Sequence, residues 1–192
     1  MTLTTLLKLL TWTTSDTEWS GQIPITKRGN EYNCYLSSDI EAPFLYDELC
    51  EILVTAAKTD RIILHINSGG GYIDSAFKIV AAIRRSKATT IARLTGTIAS
   101  AATIITLKCD EVEVEDYTHF MIHNYSTGAQ GKGHEVLDYI TFNDRDLKVT
   151  FKDIYSGFLS EEEIVDVIKG KDLWLNASEV RERLSTKTKG TK

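Results

Sequence analysis

The segment "RIILHINSGGGYIDSAFKIVAAIRRSKATTIARL", residues 61–94, constrains the fold more than any other part of the chain. It opens with an apolar run of strand length and passes through Gly69, Gly70 and Gly71. Ile73, Phe77, Val80 and Ile83 then fall on one helical stripe, and a second strand-like run follows at 89–94. Strand, helix and strand in that order make a right-handed crossover, which sets both strands parallel in one sheet with the helix on its face. The rhythm continues on either side. "YNCYLSS" (32–38) reads as a strand, and "FLYDELCEILVTAA" (44–57) puts Leu45, Leu49, Ile52, Leu53 and Ala56 on one helical face. Short strands are expected at "EVEVE" (111–115) and "HFMIH" (119–123). The class is α/β, with a mostly parallel sheet flanked by helices.

Beyond residue 130 the pattern turns helical. A long helix is expected from near Glu135, with Leu137, Ile140, Leu147, Phe151, Ile154 and Phe158 on one stripe interrupted by Asp144. A single apolar stripe on so long a helix suits packing against another subunit as much as against its own core. Ser160 with Glu163, and Asn176 with Glu179, have capping-box spacing and mark two further helix starts, and Gly170 can end the first of these. "KDLWL" between them reads as a connector that holds Asp172 at a buried edge. Residues 1–30 are Thr-rich and polar and read as an arm or edge hairpin, residues 31–184 as one domain, and 185–192 as a disordered tail.

At 192 residues a single domain buries roughly 70% of its unfolded surface, enough for one sizeable core. A net charge of -5 without a basic stripe gives no support to nucleic-acid binding. Cys34, Cys50 and Cys109 form no C-x-x-C pair and are odd in number, which argues for a reducing, cytoplasmic setting and against a disulfide framework or a zinc site. No apolar run is long enough to span a membrane, and the N-terminal "MTLTTLLKLL" lacks a basic n-region and a cleavage site.

The three glycines raise the functional question, because a cluster without Cβ atoms between strand and helix lets backbone N–H groups approach an anion. A phosphate is one candidate, but neither a G-x-G-x-x-G nor a Walker-type ending is completed, and Asp74 would repel it. A reacting oxyanion is another, and a plain tight turn a third. "LTGTIASAATIITL" puts Ser100 at the start of an apolar helix, where it could act as a nucleophile or simply as an N-cap. Of the four histidines, His65 lies within a strand and His134 in a Gly-bearing loop. His119 and His123 share a face of the "HFMIH" strand, and His123 sits at its C-terminal end, where active-site residues of parallel sheets collect. Among 27 acidic residues spacing alone selects no orienting carboxylate, although Asp172 stands out by its neighbours.

These residues resemble the proteolytic subunit of the Clp protease, a serine peptidase of the ClpP/crotonase-like fold. "INSGGG" resembles the family's I-N-S-P-G-G, "GTIASAA" its G-Q-A-A-S-M-G, "FMIHNYSTGAQG" its M-I-H-Q-P and following Gly-rich strand, and "KDLWLNASEV" its R-D-x-F-x-S-A-x-E-A, all in the family's order. The resemblance implies repeated β-β-α units with one protruding handle helix, Ser100 as nucleophile, His123 as base and Asp172 as its orienting carboxylate. It further implies Gly71 and Ala101 as oxyanion donors and Gly70, Tyr72, Asn124 and Tyr125 along a bound polypeptide, with no metal and no cofactor. Stacked heptameric rings are implied as the assembly. An AAA+ unfoldase is the family's partner, yet residues 1–30 do not resemble the segment that engages one. Gly69 stands where the family has proline and Ala102 where it has glycine, marking a divergent copy such as a phage carries. An idle subunit of a mixed ring and a crotonase-like acyl-CoA enzyme are the competing expectations.

Overall fold

The computed structural model describes residues 23–186, so most of the expected N-terminal arm and the tail from residue 187 lie outside the described residues. One sheet holds β1 (Ile25–Arg28), β2 (Glu31–Leu36), β3 (Arg61–Ser68), β4 (Thr89–Ala99), β5 (Glu111–Val114), β6 (His119–Ile122) and β7 (Leu173–Asn176). Its path runs β1-β2-β3-β4-β6-β7, with β5 also paired to β4. Strands β2, β3, β4, β5 and β6 are parallel to their neighbours in that group, while β1 and β7 are antiparallel to β2 and β6. The helices are α1 (Asp47–Thr55), α2 (Ile73–Arg85), α3 (Ala101–Lys108), α4 (Gly133–Tyr155), α5 (Glu161–Ile168) and α6 (Ala177–Thr186). A 3-10 turn, Pro43–Tyr46, leads into α1.

The continuous apolar run of β3 has the composition of a strand covered on both faces, and Ile62, Ile63, Leu64 and Ile66 are all buried. Leu49 and Leu53 of α1 and Ile79, Val80 and Ile83 of α2 belong to the same buried cluster as Ile62, Leu64 and Ile66. Helix α3 is buried on every side, from Ala101 to Leu107, because its sequence is apolar or small all round.

Strand β4 runs well past the expected residue 94 and changes partner as it goes. Its first half pairs with β5, and Thr97, Ile98 and Ala99 then pair with β6. The change happens at an irregularity in the β3–β4 register, where Ile66 faces Leu94 but Ser68 faces Ile98. Gly96 makes the bend at φ +66°, where a Cβ would meet the Asn67 side chain at 3.0 Å, and Asn67 Oδ1 accepts from Thr97 N at 3.2 Å. Extra residues on one strand bend and twist it, and here they carry the end of β4 toward β6.

Helix α4 begins at Gly133 and ends at Tyr155, so His134 lies in its first turn rather than in a loop, and Phe158 falls beyond it. Its 23 residues extend about 35 Å. Only Ile154 and Tyr155 in its last turn are buried, whereas Leu137, Tyr139, Ile140, Phe142 and Val149 are exposed. Of the expected stripe, Leu137 and Ile140 are exposed, Leu147 and Phe151 half-buried, and Ile154 and Phe158 buried, so it passes from solvent to core toward the C-terminal end of the helix.

Both capping boxes form. Ser160 Oγ accepts from Glu163 N at 3.1 Å, and Glu163 Oε2 accepts from Ser160 N at 2.9 Å. Asn176 and Glu179 repeat the exchange at 3.1 and 2.8 Å. Glu163 also receives two bonds from the Arg183 guanidinium, at 2.7 and 2.9 Å, which join α6 to the start of α5. That guanidinium, with the Ser160 bonds, holds the Glu163 carboxyl down at about 2, below its ordinary 4.5. A carboxylate with a depressed folded-state value stabilises fully above its unfolded value and loses that contribution as the pH falls toward about 2. Glu163→Gln keeps the capping box but loses the charge, so it is expected to cost about 1 kcal/mol near neutrality. It should also flatten the acid limb of the stability curve between the two values. Urea unfolding of both proteins from pH 2 to 7 checks this, and equal curves would remove the ion pair from the stability of this corner.

Candidate active site

Ser100 occupies the single residue between β4 and α3, at φ 54° and ψ -125°. An L-residue with a side chain rarely adopts such angles, and a strained strand-to-helix turn of this kind lifts the side chain out of the sheet. Its position is that of an N-cap, yet its hydroxyl makes no capping bond. An ordinary N-cap has extended backbone angles and spends its side-chain oxygen on the N2 or N3 amide. The helix does not use this serine as a cap. Ala101, the first helical residue, directs its N–H outward without an intrahelical partner, at the positive end of the α3 dipole.

The glycines explain themselves at this turn. A Cβ on Gly70 would lie 2.5 Å from Ser100 Cβ, 2.7 Å from Ala99 O and 3.1 Å from Ala101 N, and its φ is +97°. Glycine is required because the loop backbone touches the serine turn itself. Gly71, at φ +142°, leaves no space either, since a Cβ would meet Ile40 O at 2.2 Å. Ile40 N donates to Gly70 O and Tyr72 N donates to Ile40 O, each at 2.7 Å, forming a parallel bridge centred on Gly71. In such a bridge the flanking residues make the bonds, so the N–H of Gly71 points to the opposite side from Ile40. Nothing in residue type or spacing marks Ile40 as the residue that pins this loop.

His123 and Asp172 arrive on neighbouring strand ends. Ser100 N donates to Met121 O at 2.9 Å, which ties the turn to β6 two residues before His123. Strands β6 and β7 are antiparallel and their last pair is Ile122 with Leu173, so His123 and Asp172 are the residues one step beyond that pair on the two chains. The ladder thus brings all three positions to one corner of the sheet, and His119, Met121 and His123 share one face of β6 by its period of two. Among the described residues no hydrogen bond joins the side chains of Ser100, His123 and Asp172 to one another. Asp172 is exposed rather than held at a buried edge, because it has the parity of Trp174, which is 60% exposed, and not of buried Leu175. "KDLWL" correspondingly contains a strand, β7, and not merely a connector.

The flanking residues differ in freedom. Tyr72 is 59% exposed beside Gly71. Asn124 is engaged by the fold, donating to Ile168 O and accepting from Tyr125 N, both at 2.9 Å, so it anchors the loop after His123 to the end of α5. Tyr125 is half-buried at the start of that loop. His65 is a satisfied sheet residue, 2.8 Å from Asn33 Oδ1 and stacked on Tyr35, and burial followed by the Arg93 charge keeps its imidazole below the ordinary value. Among the described residues no cluster of His, Cys, Asp or Glu could hold a metal ion, and no helix is long and apolar enough to cross a membrane. A groove of about 500 Å³ between α1 and α2, lined by Asp47, Cys50, Lys78 and Arg85 among others, includes none of the candidate residues.

A family model described as Clp protease matches residues 29–183. Among solved structures, a mutant of ClpP1 from Listeria monocytogenes is similar, with a TM-score of 0.59 and 22% identity over 79% of this chain and 86% of that one. At that identity the likeness is one of fold. No curated protein matches the chain.

The packing at the serine turn separates two glycines. Gly70→Ala meets backbone within 3 Å and should destabilise by more than about 3 kcal/mol, whereas Gly29→Ala, with nothing within 4 Å, should cost about 1 kcal/mol for its positive φ. Thermal unfolding of the two variants checks this, and a Gly70→Ala protein as stable as wild type would refute the close approach.

Proposed function

The chain belongs to the Clp protease family, and on that premise we propose that it is a serine endopeptidase with Ser100 as nucleophile, His123 as general base and Asp172 as the carboxylate that orients the imidazole. The observation that carries the proposal is Ser100 itself, held at strained angles at a helix N-terminus with a hydroxyl that caps nothing. Strain of this kind persists where the surroundings over-determine it and clusters at active sites. The position of His123 and Asp172, each one step beyond the last pair of the β6–β7 ladder, supports the other two roles.

In the proposed reaction Ser100 Oγ attacks a peptide carbonyl while its proton passes to His123. The carbonyl oxygen becomes an oxyanion between the N–H groups of Gly71 and Ala101. His123 then returns the proton to the leaving amine, which departs as the C–N bond breaks, leaving an acyl ester on Ser100. Water, deprotonated by His123, attacks that ester, and collapse of the second tetrahedral intermediate releases the acid and restores the serine. The chemistry needs no metal and no cofactor. An extended polypeptide would lie along Gly70 to Tyr72 on one side and the loop from Asn124 to Tyr125 on the other.

The exposed apolar residues Leu137, Ile140, Phe142 and Val149 on α4 support assembly into stacked rings through that helix, with the active sites inside a chamber. A cytoplasmic setting fits the free cysteines. Asp172 is exposed in a single chain and, among the described residues, no hydrogen bond reaches the His123 imidazole, so on this reading assembly completes the alignment.

Treatment with a fluorophosphonate, followed by intact-mass analysis, tests the proposal. One adduct mapping to Ser100 and absent from Ser100→Ala is expected, and the variant should lose peptide hydrolysis by at least about 10³-fold with a stability change under about 0.5 kcal/mol, since no cap is lost. A protein that light scattering shows to be a ring, but that takes no adduct, would instead be a structural subunit.

A further inference from the structure

Tyr155, the last residue of α4, is a fully buried tyrosine whose hydroxyl lies 2.6 Å from Thr103 Oγ1. Thr103 is buried as well, and its Oγ1 donates to Ser100 O at 2.7 Å. A threonine hydroxyl carries one proton, so with that proton on Ser100 O the Tyr155 hydroxyl is the donor in the first bond. Burial pushes the Tyr155 phenol further above its ordinary range and keeps it protonated for that role. Ser100 O accepts a second bond, from Thr103 N at 2.9 Å.

The target of this chain is a particular peptide group. Ser100 C=O and Ala101 N–H belong to the same planar amide, so fixing the direction of one fixes the direction of the other. The turn is strained, and without restraint this plane would be among the first parts of it to tilt. A phenylalanine would fill the Tyr155 site against Phe151, whose ring centroid is 4.4 Å away, without burying a hydroxyl. The hydroxyl is kept where its one partner is the residue that clamps the amide.

We propose that Tyr155 and Thr103 are positioning residues, which hold the Ser100–Ala101 amide so that the Ala101 N–H is aimed at the oxyanion. The inference rests on the reading of Ser100 as nucleophile and Ala101 as donor. It deepens that reading by extending the machinery to the buried end of the long helix.

The experiment compares wild type with Tyr155→Phe, Thr103→Val and Thr103→Ser, following hydrolysis of a blocked fluorogenic peptide amide and the second-order rate of fluorophosphonate labelling. Removing the hydroxyl in Tyr155→Phe or Thr103→Val should lower kcat about tenfold or more with KM within about twofold, because the donor acts on the transition state and not on the bound peptide. Labelling should slow by a similar factor, since the phosphonyl oxygen uses the same donors. The pH profile of kcat/KM should keep its shape, the base being untouched. Thr103→Ser, which retains the hydroxyl, should keep near wild-type kcat. Thr103→Val strands the Tyr155 hydroxyl in the core, so the double variant with Tyr155→Phe serves as the folded control for that site. Wild-type kcat in Tyr155→Phe, or equal losses in Thr103→Ser and Thr103→Val, would overturn the positioning role while leaving Ser100 as nucleophile. A wild-type ring that takes no label at Ser100 would overturn the nucleophile first, and this inference with it.

Discussion

The contact between Gly70 and Ser100 is the constraint from which the rest of the corner follows. Two chain segments far apart in sequence touch backbone to backbone, with no room for a Cβ on one and unusual angles on the other. Neither segment could hold that arrangement alone. The glycine loop is pinned from outside by Ile40, itself 1% exposed, through two 2.7 Å bonds. Ser75 Oγ donates to Glu41 O at 2.5 Å, and Tyr46 OH accepts from Glu41 N at 2.9 Å, so the Ile40 strap is fastened in turn to α2 and to the 3-10 turn. The serine turn is pinned from inside by β6, through Met121 O, and by buried α3. Strain of a few kcal/mol at one residue is sustained when its neighbours are fixed this many ways.

The same corner is built asymmetrically. The groups proposed to stabilise an oxyanion are backbone amides, set by glycine packing, helix geometry and the buried Tyr155–Thr103 pair. The groups proposed to move the proton are side chains at the ends of two four-residue strands near the sheet edge, one of them exposed. Rigid donors cost no reorganisation when charge develops. Side chains at a short antiparallel edge keep rotameric freedom that only further contacts can remove. On the serine-peptidase reading, the oxyanion half is complete within one chain and the acid–base half is what assembly would finish.

Much of this was legible in the residues because it depends on periodicity and local chemistry. The crossover units, both capping boxes and the long helix stripe follow from spacing, and the structure reproduces them with ends shifted by a few residues. Strand β7 reads as a connector in the sequence because four residues with one inward and one outward large side chain, Leu175 and Trp174, leave too short a pattern to register. Asp172 was misjudged for the same reason: its burial depends on strand parity, which cannot be assigned before the strand is recognised. The continuation of β4 past residue 94 was hidden by Thr95, Gly96 and Thr97, which look like a loop and turn out to be the bend that carries the chain to a new partner. Ile40 and Tyr155 carried no signal at all, since their importance lies in what they touch across 31 and 52 positions of sequence.

Long-range contacts of that sort also decide where change would be tolerated. Gly69, where the resemblance has proline, has room for a Cβ, which would meet only the Asp39 side chain within 4 Å, at 3.5 Å, and its φ is not in the left-handed region. Proline there would restrict the unfolded chain, and glycine gives up that restriction. Gly70 and Gly71 have no such latitude, as backbone atoms stand where a Cβ would go. Ala102, in place of the family's glycine, sits at 0% exposure within α3, where alanine favours the helix by up to about 1 kcal/mol over glycine. One departure therefore leaves the unfolded chain freer and the other firms the helix on which the Ala101 amide rests. Neither touches the atoms proposed to meet the oxyanion, which is how a divergent copy can drift in sequence around a corner whose geometry stays fixed.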